Sequence, residues 1–170
     1  MIRFNRWRLK SEVLALLGRV ASVEAALEVL RAHARAIGCA DGVTVVRREG
    51  ADVVHVGEDS VAPLWTGQRF PIGKCVSGLA MIGRRPIYIP DIRHDPRVPR
   101  DMYADSFVAS MAMFPLGIGE PIAALGAFWS QDNPAEPDAL ALLDTLVLSA
   151  NSTFERLAVA QEIAASRPGR

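Results

Sequence analysis

Cys75, Cys39 and three histidines are the residues of this 170-residue chain best suited to covalent or metal chemistry, and their spacing decides most of what they can do. Cys75 follows Lys74 and opens a run to Ile82 that reads as a short helix between Gly73 and Gly83. A helix N-terminus and a neighbouring ammonium both favour thiolate, so a redox or covalent-ligand role stands beside the ordinary role of a buried thiol. Cys39 follows a helix stop at Gly38 and reads as packing. His33, His55 and His94 lack the paired spacing of a metal site. Ser77 and Ser110 have no nearby histidine and acid to make a nucleophile, and Gly73, Gly78 and Gly83 are too widely spaced for a phosphate-cradling loop.

The composition narrows the class further. The chain is half hydrophobic and carries 19 basic and 19 acidic residues, so no overall field draws it to nucleic acid or an anionic membrane. One domain over 1–170 is expected. The local exception is a basic N-terminal segment, 1–10, where Arg3, Arg6, Arg8 and Lys10 accompany Phe4 and Trp7; a solvated or loosely docked end is expected there. Two cysteines and no secretory leader pattern place the protein in a reducing cytoplasm, and the longest apolar stretches are too short to insert in a bilayer.

Element signals divide the chain into N-terminal helices over 11–38, sheet and pocket segments over 43–130, and a C-terminal helix over 137–164. Ser22 caps a helix in which Val23, Leu27, Leu30, Ala34 and Ile37 recur at helical spacing. A shorter helix, from about Ser11 to Val20, precedes it. Val43 to Val46 and Asp52 to Val56 form a hairpin across Gly50. Gly57 to Gln68 read as a loop crossing to a short strand near Arg69 to Pro71. Pro86 forces an extended start for Ile87 to Ile89. A Pro-punctuated charged loop and a helical turn follow, and Ala109 to Leu116 with Pro121 to Ser130 form a second, almost wholly apolar hairpin. In the last helix Leu143, Val147, Ala150, Phe154 and Leu157 repeat at three and four, the spacing of a dimer seam, while packing on the chain's own sheet would account for the first half of the run.

This order of elements resembles the GAF domain. The residues that carry the resemblance are Cys75 to Met81, Ile89-Pro90-Asp91-Ile92 with Asp95 to Pro99, Ser106-Phe107-Val108, Ser110 to Met113 before Pro115, and Glu120 to Trp129. It is similar above all to the sensory GAF domains of bacterial sensor histidine kinases. The resemblance implies an α+β fold: a central antiparallel sheet of five to six strands, terminal helices on one face, and a pocket under loops and short helices on the other. Trp65, Phe70, Cys75, Tyr88, Asp91, His94, Tyr103, Phe107, Ser110, Met111 and Met113 are then the pocket candidates. Asp91 has a second reading, as cap of the turn that follows it. Alternation sends Met111 and Met113 to one sheet face and Ala112 and Phe114 to the other, without saying which faces the pocket.

The expected function is a non-catalytic sensory or regulatory domain in signal transduction. It would bind a small molecule of unknown identity, or a separate signalling-protein partner, and signal as a homodimer through its terminal helices. The sequence ends at Arg170 with no phosphoacceptor helix or ATP-binding region, so a signal is expected to leave through a partner, unless the chain is a fragment of a kinase. Two alternatives carry chemistry. Free methionine sulfoxide reductases share the fold but want a nucleophilic and a resolving cysteine, and only Cys75 is suitably placed. A tetrapyrrole-binding domain would use the same pocket, with His94 overhanging it, but Cys75 is followed by Val76 and not by the histidine of a bilin attachment pair.

Overall fold

The computed structural model describes residues 2–133, 137–167 and 169, and the side chains from residue 5 onward within them. Six strands form one antiparallel sheet in the order β3-β2-β1-β6-β5-β4. They are β1 (Gly42–Glu49), β2 (Asp52–Ser60), β3 (Arg69–Pro71), β4 (Ile87–Ile89), β5 (Ser110–Leu116) and β6 (Ala123–Trp129). Helices α1 (Ile2–Leu17), α2 (Val23–Ile37) and α5 (Ala139–Ala165) cover one face; the short helices α3 (Val76–Gly83) and α4 (Arg100–Tyr103) and their loops belong to the other. The α+β architecture is the one expected.

Strand alternation settles the faces. Val43 and Val45 of β1, Ala112 and Phe114 of β5, and Leu125 and Ala127 of β6 pack with the helices, so their alternates Met111, Met113 and Phe128 face the loops. The β5–β6 hairpin is buried along its whole length, as a central pair covered on both faces must be.

Two elements begin or end elsewhere than the sequence suggests. Helix α1 starts at Ile2, not near Ser11, and takes in the basic segment read as a loosely docked end. Arg6 is the reason: its side chain is 4% exposed, its Nε–H donates to the Ile37 carbonyl at 2.9 Å, and its guanidinium pairs with Asp138 at 3.5 Å. It thereby occupies one of the open carbonyls that end α2. The side chains of Arg3 and Phe4 lie outside the described residues. Strand β2 runs on to Ser60, four residues into the stretch read as loop, because Gly57 to Ser60 continue the ladder with Gly42 to Val45 beyond a bulge at Val56.

Helix α5 corrects the expected seam. Leu143, Val147, Ala150 and Phe154 are buried in this chain's own helix-side core, and Leu157 is half-buried. The repeat at three and four serves α1, α2 and β5, against which α5 packs. Exposed on the helix are Leu148, Val159 and Ile163; at about 3.6 residues per turn these share one stripe opposite Leu146 and Ala150. Among the described residues no helix is long and apolar enough to cross a membrane.

Candidate functional site

The loop-side face is built around the β2 bulge. A strand without it would send residues 55 and 58 to opposite faces; the extra residue, Val56, shifts the phase so that both His55 and Glu58 turn toward the loops. Cross-strand pairing then sets Thr44 beside Glu58, Val46 beside His55 and Gly42 beside Ser60. Glu58 organises the covering loop. Its carboxylate accepts the backbone N–H groups of Leu64 at 2.9 Å, Trp65 at 3.0 Å and Thr66 at 3.0 Å. Burial alone would raise its pKa, but these amides outweigh burial and hold it below the usual carboxylate range.

The clamp delivers Trp65 into the centre of the face. Its ring meets Tyr103 at 4.9 Å, Phe128 at 5.4 Å and His55 at 5.6 Å, all edge to face. Its Nε1–H donates to the Met102 carbonyl at 3.3 Å. Phe70 closes the other side of His55, also edge-on at 5.6 Å. Gly126 keeps the floor flat, since a Cβ there would press on Thr44, Met113 and Phe128. Burial lowers the His55 pKa to about 4, only partly opposed by Glu58, so its imidazole is neutral near pH 7. His55 is 2% exposed and neither ring nitrogen has a hydrogen-bond partner. The Thr44 and Ser60 hydroxyl oxygens are buried without partners too.

Two clefts flank this ring cluster. The larger, about 560 Å³, has an apolar floor of Ile92, Val98, Tyr103, Ala104, Val108 and Ala109 and a rim of Arg93, Arg100, Ser106, Ser130 and Asp132. Arg93 is tied to Asp91 at 2.8 Å and Asp132 at 2.7 Å. The smaller, about 340 Å³, lies against Leu64, Trp65, Phe70 and Met102. Ser106 borders both.

Six of the eleven sequence candidates, Trp65, Phe70, Tyr103, Phe107, Met111 and Met113, meet in this one cluster. Burial pushes the Tyr103 phenol well above its ordinary pKa. Five do not join it. Cys75 packs beside it with Val46, Val53, Met81 and Ala124, contacts Ser77 at 3.4 Å, and borders neither cleft. Tyr88 pairs with Ala112 and Ser110 is in phase with it, so alternation turns both away from the loops; Tyr88 donates to Asn133 at 2.9 Å and Ser110 to the Gln131 carbonyl at 2.7 Å. Asp91 caps the 3-10 turn Ile92–His94 by accepting the Arg93 N–H at 2.9 Å. Side-chain hydrogen bonds from Arg93, then His94, hold its carboxyl far below the usual range. His94 is turned outward, 81% exposed, with Nδ1 2.8 Å from Asp91.

The sequence reading missed His55, Glu58 and Thr44. Its one available signal was polar residues at alternate positions inside β-branched runs. Cys75 is a buried thiol, and Cys39 stands at the end of α2 on the helix side, where its carbonyl accepts the Trp129 indole N–H.

Solved structures share this fold. The GAF domain of a phosphoenolpyruvate-protein phosphotransferase from Coxiella burnetii superposes with a TM-score of 0.73 at 17% identity, over 95% of this chain and 98% of that one. A free methionine-R-sulfoxide reductase from Neisseria meningitidis, in complex with its substrate, gives 0.71 at 17% identity, over 91% of each chain. The chromophore-binding domain of a bacteriophytochrome from R. palustris gives 0.71 at 13% identity, over 91% of this chain and 62% of that one. At these identities the likeness shows the fold. A search of curated protein sequences finds no match. The family model of the GAF domain matches residues 20–154, and the chain belongs to the GAF domain family.

Proposed function

We propose that this chain is a non-catalytic sensory or regulatory domain of the kind found in bacterial sensor kinases, binding a small molecule on its loop-covered face and signalling through its terminal helices. The observation that carries this reading is the 560 Å³ cleft, whose apolar floor is rimmed by Arg93 and Arg100. Arg100 makes no hydrogen bond or ion pair among the described residues and is free to meet a ligand's acceptor. A route to the helices lies alongside: Arg31 of α2 donates to the Glu58 carbonyl at 3.2 Å and Arg35 pairs with Asp59 at 2.9 Å. The strand end that clamps the Trp65 loop is thus tied to α2, which packs on α5. A ligand that favours one loop position biases the helices only through such differential contacts. Homodimerisation, in this reading, uses the Leu148, Val159 and Ile163 stripe of α5 in place of the seam spent on the core.

The thiol-reductase alternative is disfavoured by placement, since Cys75 borders neither cleft and Cys39 sits across the sheet from it. Disulfide exchange needs the second sulfur within reach of the first. For the tetrapyrrole alternative, His94 points away from the clefts. The test is native mass spectrometry of freshly purified protein beside its denatured mass, with turnover of free methionine-R-sulfoxide by the thioredoxin system run in parallel. Retained non-covalent mass that falls in Arg100→Gln supports the proposal. Turnover that is lost in Cys75→Ser overturns it.

A further inference from the structure

On the loop-side face of β1 and β2, Thr44, His55 and Ser60 present four buried polar atoms with no hydrogen-bond partner among the described residues. The register places them in one strip: Ser60 opposite Gly42, Thr44 two residues along β1, and His55 opposite Val46 two residues further. A neutral imidazole offers one donor and one acceptor, and each hydroxyl offers both. Buried groups of this kind are almost always paired in folded proteins, and in the free chain these carry a desolvation cost without return. What covers His55 is the indole of Trp65 and the ring of Phe70. Both rings also face the 340 Å³ cleft open to solvent.

We infer that the Trp65 loop is a removable plug over a recognition strip, and that displacing the indole admits a flat, uncharged heterocycle bearing both a hydrogen-bond donor and an acceptor, which pairs with His55 and Thr44. The geometry sets the ligand's character. Its size is that of the ring system it replaces. The surrounding Tyr103, Phe70 and Phe128 offer ring edges and faces to a planar body. Among the described residues the one carboxylate on the strip, Glu58, is engaged by three amides, and the carboxylates of Asp101 and Asp105 line the outer cleft and not the strip. The plug is held by hydrogen bonds that can reform after opening: the Trp65 Nε1–H to Met102, at 3.3 Å, and the Glu58 clamp. This inference rests on the sensory reading and places its ligand under Trp65, beside the outer cleft.

The experiment uses the full chain labelled with 5-fluorotryptophan, which reports Trp7, Trp65 and Trp129 as separate ¹⁹F resonances, Trp65 being assigned with Trp65→Phe. Indazole and benzimidazole, each a bicycle with one N–H and one ring-nitrogen acceptor, are titrated at pH 7.5. The expected result is a saturable change confined to the Trp65 resonance, weakened roughly five- to tenfold in Thr44→Val and in His55→Phe. Thr44→Val should also leave the free protein as stable as the parent or more so, since it deletes an unsatisfied hydroxyl without changing shape. The inference is overturned by the absence of saturable change up to the solubility limit, by a response indifferent to both strip variants, or by a Thr44→Val protein of lower stability. The last outcome would mean that an ordered water already pairs with the strip. If the heterocycles fail while the native mass carries a ligand dependent on Arg100, this inference falls and the sensory reading stands.

Discussion

Lowering the pH from 7 to 5.5 should destabilise this protein through His55 before any carboxylate takes part. Burial lowers the His55 pKa from the ordinary 6.5 to about 4, so the unfolded chain binds a proton that the folded chain refuses. Stability therefore rises with pH across that window; it is fully present above 6.5 and is lost as the pH falls toward 4. Each tenfold difference in proton affinity is worth about 1.4 kcal/mol. The whole gap then amounts to about 3 kcal/mol, of which on the order of 1 kcal/mol disappears between pH 7 and 5.5. Glu58, Asp91 and Asp95 are all held below their ordinary values and add their own losses only at lower pH. Urea denaturation followed by far-UV circular dichroism at half-unit pH steps measures the effect. With a slope of about 2 kcal/mol per molar, the midpoint should fall by about 0.5 M over this interval. His55→Phe keeps a ring between Trp65 and Phe70 and removes the proton, so its midpoint should stay nearly flat. Equal losses in parent and variant would refute the reasoning, because the pH dependence would then come from other groups.

Further outcomes follow from the same geometry. Glu58→Gln removes the charge that gathers three amides and should cost about 1.5–3 kcal/mol, with hydrogen exchange at Leu64, Trp65 and Thr66 accelerating more than exchange in α2. Gly78→Ala should leave little folded protein, because a Cβ there overlaps the Ile72 carbonyl and the backbone on both sides is packed; soluble yield and circular dichroism report it. Cys75, 2% exposed, should react with an aromatic disulfide reagent only at the rate at which the domain opens, so its labelling should track urea concentration, whereas a functional thiolate would label at once. Val159→Glu with Ile163→Glu should weaken self-association in sedimentation at unchanged melting temperature, while Val147→Asp should melt the monomer itself.

Local signals were the legible ones. The Ser22 cap is present, its hydroxyl accepting the Ala25 N–H at 3.1 Å. Both hairpins form, and Asp91 caps its turn, because each connection is made within a few residues along the chain. The basic start of α1 was illegible because Arg6 counts as polar until a carbonyl 31 residues away claims it. The α5 repeat read as a seam because spacing reports that a stripe is covered, not by which chain. The β2 bulge left no mark in a β-branched run, and without it His55 and Glu58 could not be placed on one face. Apolar alternation in β5 named Met111 and Met113 correctly as a pair, yet two buried faces look alike until helices and loops are assigned to them.

The two faces of the sheet are finished to different degrees, and the proposed ligand site lies on the less finished one. On the helix side, Thr153 donates to the Leu17 carbonyl at 2.7 Å, and the Trp129 indole N–H serves the carbonyls of Gly38 and Cys39. On the loop side, the buried polar atoms of His55, Thr44 and Ser60 have no such partner among the described residues, although isosteric apolar residues would fill the same space at lower cost. A fold selected for stability alone would exchange them. Their retention fits a face whose free state is deliberately incomplete, held shut by an indole and three amides, so that completing it changes the position of the Glu58 strand end. Arg31 and Arg35 grip that strand end from α2. In the proposed reading, small rearrangements under Trp65 would reach a densely packed helix layer, and rigid displacement of α2 against α5 is the response such packing allows.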